Sequence, residues 1–150
     1  MAKDGIKGVI GAGEGVDGKS WNVVGHIYTP KLHTRNALIW HAVIPDTTFV
    51  PPHVHPTQDE WITVLSGHLE VEFGADLHKA GPGDTIRMPM GKAHGIFNRS
   101  GAEATCIFGV APSRKLFDLF EVLDGVSDPE ELVRLSALHE VNFLPPSDAA

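Results

Sequence analysis

The chain has 150 residues, of which 42% are hydrophobic, and these values suit one domain with a single core. Its 19 acidic and 12 basic side chains give a formal net charge of −7, which opposes binding to the phosphate backbone of nucleic acids. No segment approaches the about 18 apolar residues of a membrane span, and the N-terminus lacks the apolar core of a secretory leader. We therefore expect a cytoplasmic protein with no nucleic-acid and no membrane partner.

Residues 1–19 form a glycine-rich N-terminal arm that we expect to be flexible or to lie at the edge of the fold. The arm and the next residue contain the string GEGVDGKS, which matches the phosphate-binding pattern G-x-x-x-x-G-K-S/T. That pattern works only where a helix follows, and here the β-branched run WNVVGHIYTP follows instead. Glu14 and Asp17 would also direct negative charge toward a bound phosphate. The string is therefore interpreted as part of the arm and not as a nucleotide site.

Residues 20–112 are predicted to form an all-β body of short antiparallel strands. Turn-forming groups such as IPDT, LSGH, AGPGD and PMGK separate the strand-like runs. Short strands at such intervals are typical of a sandwich or barrel. The sole cysteine, Cys106, has apolar neighbours and is predicted to be reduced and buried. The predicted strand runs are NVVGHIY, ALIWHAVI, WITVL, HLEVEF, DTIRM and ATCIFGV.

Residues 113–150 are predicted to form two short helices and a tail whose last polar residues fray. The second helix is expected to start at Asp128, because Pro129 follows and Glu131 is spaced for a capping box. The first helix is predicted from the apolar residues that KLFDLFEVL places on one side, namely Leu116, Phe117, Leu119, Phe120 and Leu123.

The first segment with a chemical signature is PPHVHPTQDEWITVLSG, residues 51–67. His53 and His55 are two residues apart, so on a strand both imidazoles point to the same face. Glu60 begins the next strand-like run, and Gly67 ends that run in a tight turn. If the turn folds the two runs together, the Glu60 carboxylate joins the two imidazoles.

The second segment is GDTIRMPMGKAHGIFN, residues 83–98. His94 opens a strand whose alternation aims His94, Ile96 and Asn98 at one face. A third imidazole from this strand would complete a set of three nitrogen ligands and one oxygen ligand. Such a set suits one divalent transition metal ion, namely Mn, Fe, Co, Ni, Cu or Zn, and leaves positions open for water or substrate.

These two segments together resemble the two motifs of the cupin superfamily. The matching pattern is His-x-His, Glu five residues later, Gly seven residues after that, and then Gly-x5-Pro-x-Gly-x2-His-x3-Asn. One departure is Thr47, which stands six residues before the first histidine, where the family motif usually begins with a turn-forming Gly. The resemblance implies a single antiparallel jelly-roll β-barrel with a metal ion inside. Its ligands would be His53, His55, Glu60 and His94.

The C-terminal region, with its D-P-E-E-L helix start and Pro-Pro ending, resembles the helical tail of bacterial single-domain cupins of the quercetinase-like type. That resemblance implies a dioxygenase that uses O2 on a flavonol-like, phenolic or enolic small molecule. Glu60 would either stay a ligand or take the substrate proton. Burial disfavours the charged form of its carboxyl group and is therefore expected to make it a stronger base than in water. The alternatives are an oxygen-independent metal-dependent isomerase, cyclase or lyase, and a small-molecule-binding protein without enzymatic activity.

The walls of the substrate pocket are less well defined by the sequence. Neighbouring residues on a strand point to opposite faces, so either Trp40 or His41 faces the barrel interior. The sequence of the run ALIWHAVI does not decide which of the two it is. Trp61 is expected to face outward, and an exposed aromatic face on a small barrel suggests a homodimer. The candidate pocket residues are Trp40, His41, Phe49, Met88 and Phe97.

Overall fold

The computed structural model describes residues 8–145, so the predicted fraying of the last polar residues falls outside the described part of the chain. Within residues 8–145 there are eleven strands and two α-helices. The strands are β1 (Trp21–Val23), β2 (His26–His33), β3 (Leu38–Ile44), β4 (Phe49–Val54), β5 (Asp59–Ser66), β6 (Leu69–Phe73), β7 (Asp76–Ala80), β8 (Thr85–Met88), β9 (His94–Phe97), β10 (Ala104–Ala111) and β11 (Asn142–Phe143). The helices are α1 (Leu116–Leu123) and α2 (Pro129–Leu138).

The strands form two antiparallel sheets, which confirms the predicted all-β jelly-roll. One sheet has the order β1-β2-β3-β10-β5-β8, and the other has the order β11-β4-β9-β6-β7. The crossovers place strands that are distant in sequence side by side, and β10 lies between β3 and β5. The strands that carry the predicted ligands therefore belong to different sheets. Strands β4 and β9 lie in one sheet, and β5 lies in the other.

Strict alternation along the central strands builds the core. On β3 the residues Leu38, Trp40, Ala42 and Ile44 are buried, and the residues between them are only half-buried. On β10 the side chain of Cys106 is fully buried, as predicted, and burial raises the pKa of its thiol to about 12. A thiol with that pKa stays protonated at neutral pH and is a core residue, not a nucleophile.

The first predicted strand run, NVVGHIY, is divided in the structure. Val24 and Gly25 both have positive φ, at 52° and 89°, and turn the chain between β1 and β2. The sequence analysis also missed β7 and β11. The first four residues of β7 are exposed, so this strand lacks an apolar alternation that would reveal it.

Two turn positions near the chemical segments have left-handed backbone. Gly67 has φ 74°, and a Cβ there would lie 2.6 Å from the Glu103 carbonyl oxygen, so only glycine fits. Thr47 has φ 68°, the conformation that explains why the resembled motif usually has Gly there. The turn persists because the Thr47 N–H donates to the Asn98 carbonyl at 2.9 Å. The departure at Thr47 thus changes a turn residue without disturbing the neighbouring strands.

The two predicted helices are present and pack on the barrel. The apolar side of α1 is buried, and the Phe117 ring contacts the Trp21 ring at 5.0 Å between centroids. Asp128 caps α2 by accepting a hydrogen bond from the Glu130 N–H at 3.1 Å. The capping box is only half formed, because Glu131 pairs with Arg134 instead of bonding back to the cap.

The described part of the N-terminal arm lies along β2. The Lys31 ammonium donates to the carbonyl oxygens of Gly11 and Glu14 at 2.9 and 2.6 Å. Strand β1 begins at Trp21, directly after the glycine-rich string, so a strand stands where a phosphate site needs a helix. In residues 8–145 neither helix reaches the length and apolar character that a bilayer crossing requires.

Candidate metal centre

The structure brings together the four side chains selected from the two chemical segments. His53, His55, Glu60 and His94 each offer one ligand atom, and these atoms all lie within 4.8 Å of one another. All four residues are buried, with exposed fractions of 2 to 5%. The cluster therefore lies inside the barrel and is largely shielded from bulk water.

Strand pairing positions the ligands. His53 on β4 is the register partner of His94 on β9, so their imidazoles are neighbours across one sheet. His55 lies one residue beyond the end of β4 and still points to the same side, as its stacking on His94 at 5.7 Å shows. Glu60 comes from β5 in the facing sheet. The carboxylate thus meets the three imidazoles in the space between the two sheets.

The geometry of the cluster fits a bound cation. Glu60 Oε1 lies 3.0 Å from His94 Nε2 and 3.3 Å from His55 Nε2. Within residues 8–145, however, neither Glu60 Oε1 nor His94 Nε2 has a partner in proper hydrogen-bond geometry. Buried polar atoms without partners are costly, and a cation coordinated by both atoms would remove that cost. Three imidazoles and one carboxylate suit a divalent transition metal.

The protonation states also suit a metal site. Burial raises the pKa of the Glu60 carboxyl, but the three neighbouring imidazoles outweigh it and lower that pKa to about 2. Burial, with the adjacent His94 and His55, lowers the pKa of His53 to about 3. At neutral pH the ionised carboxylate and the neutral His53 imidazole are the forms that bind metals. The expectation that burial makes Glu60 a stronger base is therefore wrong for the metal-free cluster.

Hydrogen bonds behind the cluster fix the tautomers of the first two histidines. His53 Nδ1 donates to the Pro51 carbonyl at 2.8 Å, which leaves Nε2 free as a ligand. His55 Nδ1 lies 2.8 Å from Gln58 Oε1. The Gln58 amide nitrogen donates to the carbonyls of Pro112 and Ser113 at 3.0 and 2.8 Å, so its oxygen must face His55. His55 therefore carries its proton on Nδ1 and presents Nε2 to the metal.

Gln58 is a site residue that the sequence analysis missed. It is 2% exposed and lies in the turn between β4 and β5. The only sequence signal was an amide residue three positions after His55, and that signal is weak because turns commonly contain polar residues. Its role depends on the carbonyls of Pro112 and Ser113, which are more than fifty residues away in sequence.

Replacing Gln58 by Met should weaken metal binding by about 10 to 100-fold, the usual cost of losing a hydrogen bond that orients a metal-ligating histidine. Methionine keeps the side-chain volume but cannot accept from His55 Nδ1, so the imidazole is no longer held in one tautomer. The affinity for Zn²⁺ would be measured by competition with a chromogenic chelator.

Thr57→Ala is the matched control, since the Thr57 hydroxyl lies in the same turn but donates to Glu140 at 3.0 Å. This control should retain wild-type affinity. Equal affinities for the Gln58→Met and wild-type proteins would contradict the orienting role of Gln58.

A cavity of about 60 Å³ lies beside the cluster, with His53, His55 and Glu60 in its wall. The remaining wall is almost entirely apolar. It combines barrel residues such as Tyr28 and Phe108 with residues of α1, α2 and β11. The C-terminal segment therefore forms part of the cavity, a role that its sequence did not indicate.

Two of the candidate pocket residues are buried beside the cluster. Trp40 lines the cavity, so the structure decides the parity of β3 in favour of Trp40 facing inward. Met88 is 1% exposed and pairs with Glu60 between β8 and β5, yet it lies outside the cavity wall.

The other three candidate pocket residues lie outside the wall of this cavity. His41 is half-buried on the opposite face of β3 from Trp40, because neighbouring residues on a strand point to opposite sides. Phe49 is 50% exposed and stacks on Phe97 at 5.8 Å, and the Arg99 guanidinium lies 4.3 Å above the Phe97 ring. These two rings form an outer surface and do not contact the cluster.

Comparison with known proteins agrees with this fold and site. A family profile described as the cupin domain matches residues 40–109. No curated protein matches the chain at a significant level.

Several solved structures share the fold. An uncharacterized protein with a double-stranded β-helix domain from Klebsiella pneumoniae is 25% identical, covering 58% of this chain and 76% of that one, with a TM-score of 0.54. KdgF from Halomonas sp. is 23% identical, covering 67% and 94%, with a TM-score of 0.60. A sugar phosphate isomerase of the cupin superfamily from Silicibacter pomeroyi is 22% identical, covering 60% and 61%, with a TM-score of 0.54. Residues 40–109 therefore carry a cupin domain, and the chain has the jelly-roll fold of these structures.

Proposed function

We propose that this cupin is a metal-dependent dioxygenase that acts on a phenolic or enolic small molecule. The observation that carries the proposal is the buried cluster of three histidines and Glu60 at one side of an otherwise apolar cavity. Among the residues that the structure describes, the cluster supplies the only imidazole and carboxylate groups along the cavity wall.

The metal would supply a Lewis-acidic centre with positions open to the substrate oxygen and to O2. His53, His55 and His94 would hold the ion, and Glu60 would accept the proton of the substrate hydroxyl group. The substrate itself supplies the electrons, because both atoms of O2 enter its carbon skeleton as a carbon–carbon bond breaks. No further reductant is required, which agrees with a site that is built from redox-inert side chains.

The cavity size limits the substrate. At about 60 Å³ it is smaller than the roughly 150 Å³ apolar cavity that holds benzene in an engineered protein. A single aromatic or enolic ring would enter only if side chains of the cavity wall change rotamer. A three-ring flavonol would require a much larger rearrangement, so the dimensions favour the smaller members of the phenolic and enolic class.

A second candidate is an oxygen-independent isomerase, cyclase or lyase that uses the same metal. The observation that favours it is the unpartnered Oε1 of Glu60, which lies beside the cavity and can transfer a proton to or from a substrate carbon. Such chemistry needs only Lewis-acid activation and a base.

Oxygen uptake by metal-reconstituted protein tests the proposal. Mn, Fe, Co, Ni and Cu forms would be assayed against catechols, 1,3-diketones and flavonols, with His94→Ala as the control for metal-dependent activity. We expect uptake that needs both the substrate and His94, with the smaller substrates preferred. Product formed at the same rate under strict anaerobiosis would replace the dioxygenase by the second candidate.

A further inference from the structure

Besides Glu60 Oε1, two buried polar atoms of the cavity wall have no partner among the described residues. Trp40 on β3 and Ser136 on α2 both line the cavity, and each is 1% exposed. Within residues 8–145, neither Trp40 Nε1 nor Ser136 Oγ makes a hydrogen bond. Neither group belongs to the metal cluster.

Buried polar groups without a hydrogen bond destabilise a fold unless a bound molecule supplies the missing partner. A buried donor or hydroxyl without a partner bears its full desolvation penalty, and nearly all buried polar groups in native proteins are paired. Ser113 shows the usual situation in this chain, since it is also buried and its hydroxyl donates to the Arg35 carbonyl at 3.0 Å. Unlike the Ser113 hydroxyl, the Ser136 hydroxyl is therefore available to a group that enters the cavity.

The two groups come from different elements of the cavity wall, β3 and α2. Trp40 is held rigidly, because its ring stacks on Phe108 at 5.1 Å and meets the edge of Phe120 at 5.1 Å. Ser136 is held by the last turn of α2, where its carbonyl accepts from the N–H groups of His139 and Val141 at 2.9 Å. Positions fixed in this way can select a ligand by shape and polarity.

We propose that Trp40 and Ser136 are specificity-determining residues that hydrogen-bond a second polar group of the substrate. This inference rests on the proposed function, in which a first hydroxyl of the substrate faces Glu60 and the metal. Trp40 Nε1 can only donate, so it requires an oxygen acceptor, whereas the Ser136 hydroxyl can donate or accept. The preferred substrate is a small phenol or enol whose far end carries a hydroxyl or carbonyl oxygen, with apolar surface between the two ends.

Calorimetric titration of zinc-loaded full-length protein without oxygen tests this inference. The probes are 3,4-dihydroxybenzyl alcohol and 4-ethylcatechol, which share the metal-facing diol and differ in whether the far end carries a hydroxyl or a methyl group. The variants are Ser136→Ala and Trp40→Phe, which delete the unpartnered atoms, and Ser113→Ala, which deletes a satisfied hydroxyl. Melting temperatures of the ligand-free proteins provide a second measurement.

We expect the wild-type protein to bind the alcohol about tenfold more tightly than the ethyl compound, as one additional buried hydrogen bond implies. That preference should fall in Ser136→Ala and in Trp40→Phe but persist in Ser113→Ala. Ser136→Ala should also melt no lower than the wild type, since it removes no bond, whereas Ser113→Ala should melt lower.

An unchanged preference in either cavity variant would overturn the assignment for that residue. A melting temperature that falls as much in Ser136→Ala as in Ser113→Ala would give Ser136 a structural role instead. Failure of both probes to bind the zinc-loaded protein would overturn the inferred substrate class. Because zinc is redox-inert and oxygen is absent, these results do not depend on dioxygenase turnover, so the inference and the proposed activity can fail separately.

Discussion

Replacing His94 by Ala should abolish tight metal binding and, with it, the part of the protein's stability that depends on metal. At a free metal concentration 100 times the dissociation constant, a metal that binds only the folded state adds about 2.7 kcal/mol to the free energy of unfolding. His94 Nε2 lies 3.0 Å from Glu60 Oε1 at the centre of the cluster, so its loss removes one of the four ligands. The wild-type melting temperature should fall when a chelator removes the metal, whereas that of His94→Ala should not change.

The difference with and without chelator is the informative quantity, because His94→Ala also alters packing in a buried site. His78→Ala provides the control, since His78 lies on the exposed strand β7 and belongs to no ligand cluster that the described residues form. This control should lose as much stability on chelation as the wild type. A wild-type protein that contains no transition metal after reconstitution and does not respond to chelator would refute the metal centre.

The three ligands of the first segment were predictable because local rules place each of them. A two-residue spacing puts His53 and His55 on one side of the chain, and the turn before β5 brings Glu60 back toward them. Gly67 is required by its left-handed backbone and by the Glu103 carbonyl that fills the space of a side chain. Period and turn length can be read from the sequence, whereas the joining of the second segment to the first rested on the resemblance to the two cupin motifs.

The surroundings of the cluster were not predictable in the same way, because they depend on tertiary packing. The role of Gln58 comes from carbonyls that reach it through the fold, and residues of α1 and α2 reach the cavity only because both helices pack on the barrel. His41 lies outside the cavity wall for a related reason. A slip of one residue in strand parity moves a side chain to the other face, and the sequence of the run ALIWHAVI does not fix that parity.

The base strength of Glu60 is a further case in which tertiary contacts decided the outcome. Burial alone predicts a raised pKa, and that was the basis of the expectation from sequence. The structure surrounds the carboxylate with three imidazoles, whose combined effect is opposite in sign and larger. The carboxylate is therefore ready to act as a ligand at neutral pH, and its action as a base depends on how strongly the metal holds it.

Glu60→Gln should lower turnover by about 10² to 10⁴-fold, the usual contribution of a positioned general base, while retaining much of the metal affinity. Glutamine has nearly the same shape, and its amide oxygen can still face the His94 and His55 nitrogens that lie 3.0 and 3.3 Å from the native Oε1. It cannot accept the substrate proton, because an amide is not basic at neutral pH. Turnover per bound metal, measured by oxygen uptake and by metal analysis of the same sample, separates the two roles.

The two roles of Glu60 predict different patterns of loss. If Glu60 acts as the base and contributes little to metal binding, Glu60→Gln should have near-normal metal content and a low kcat. If Glu60 acts only as a ligand, the variant should have low metal content and normal turnover for each metal ion that remains bound. Glu60→Asp refines the comparison, since it keeps the basic group but moves it back by one methylene, and it should recover part of the turnover if proton transfer is the role. Full turnover per bound metal in Glu60→Gln would exclude Glu60 as the base and leave it as a ligand that tunes the metal.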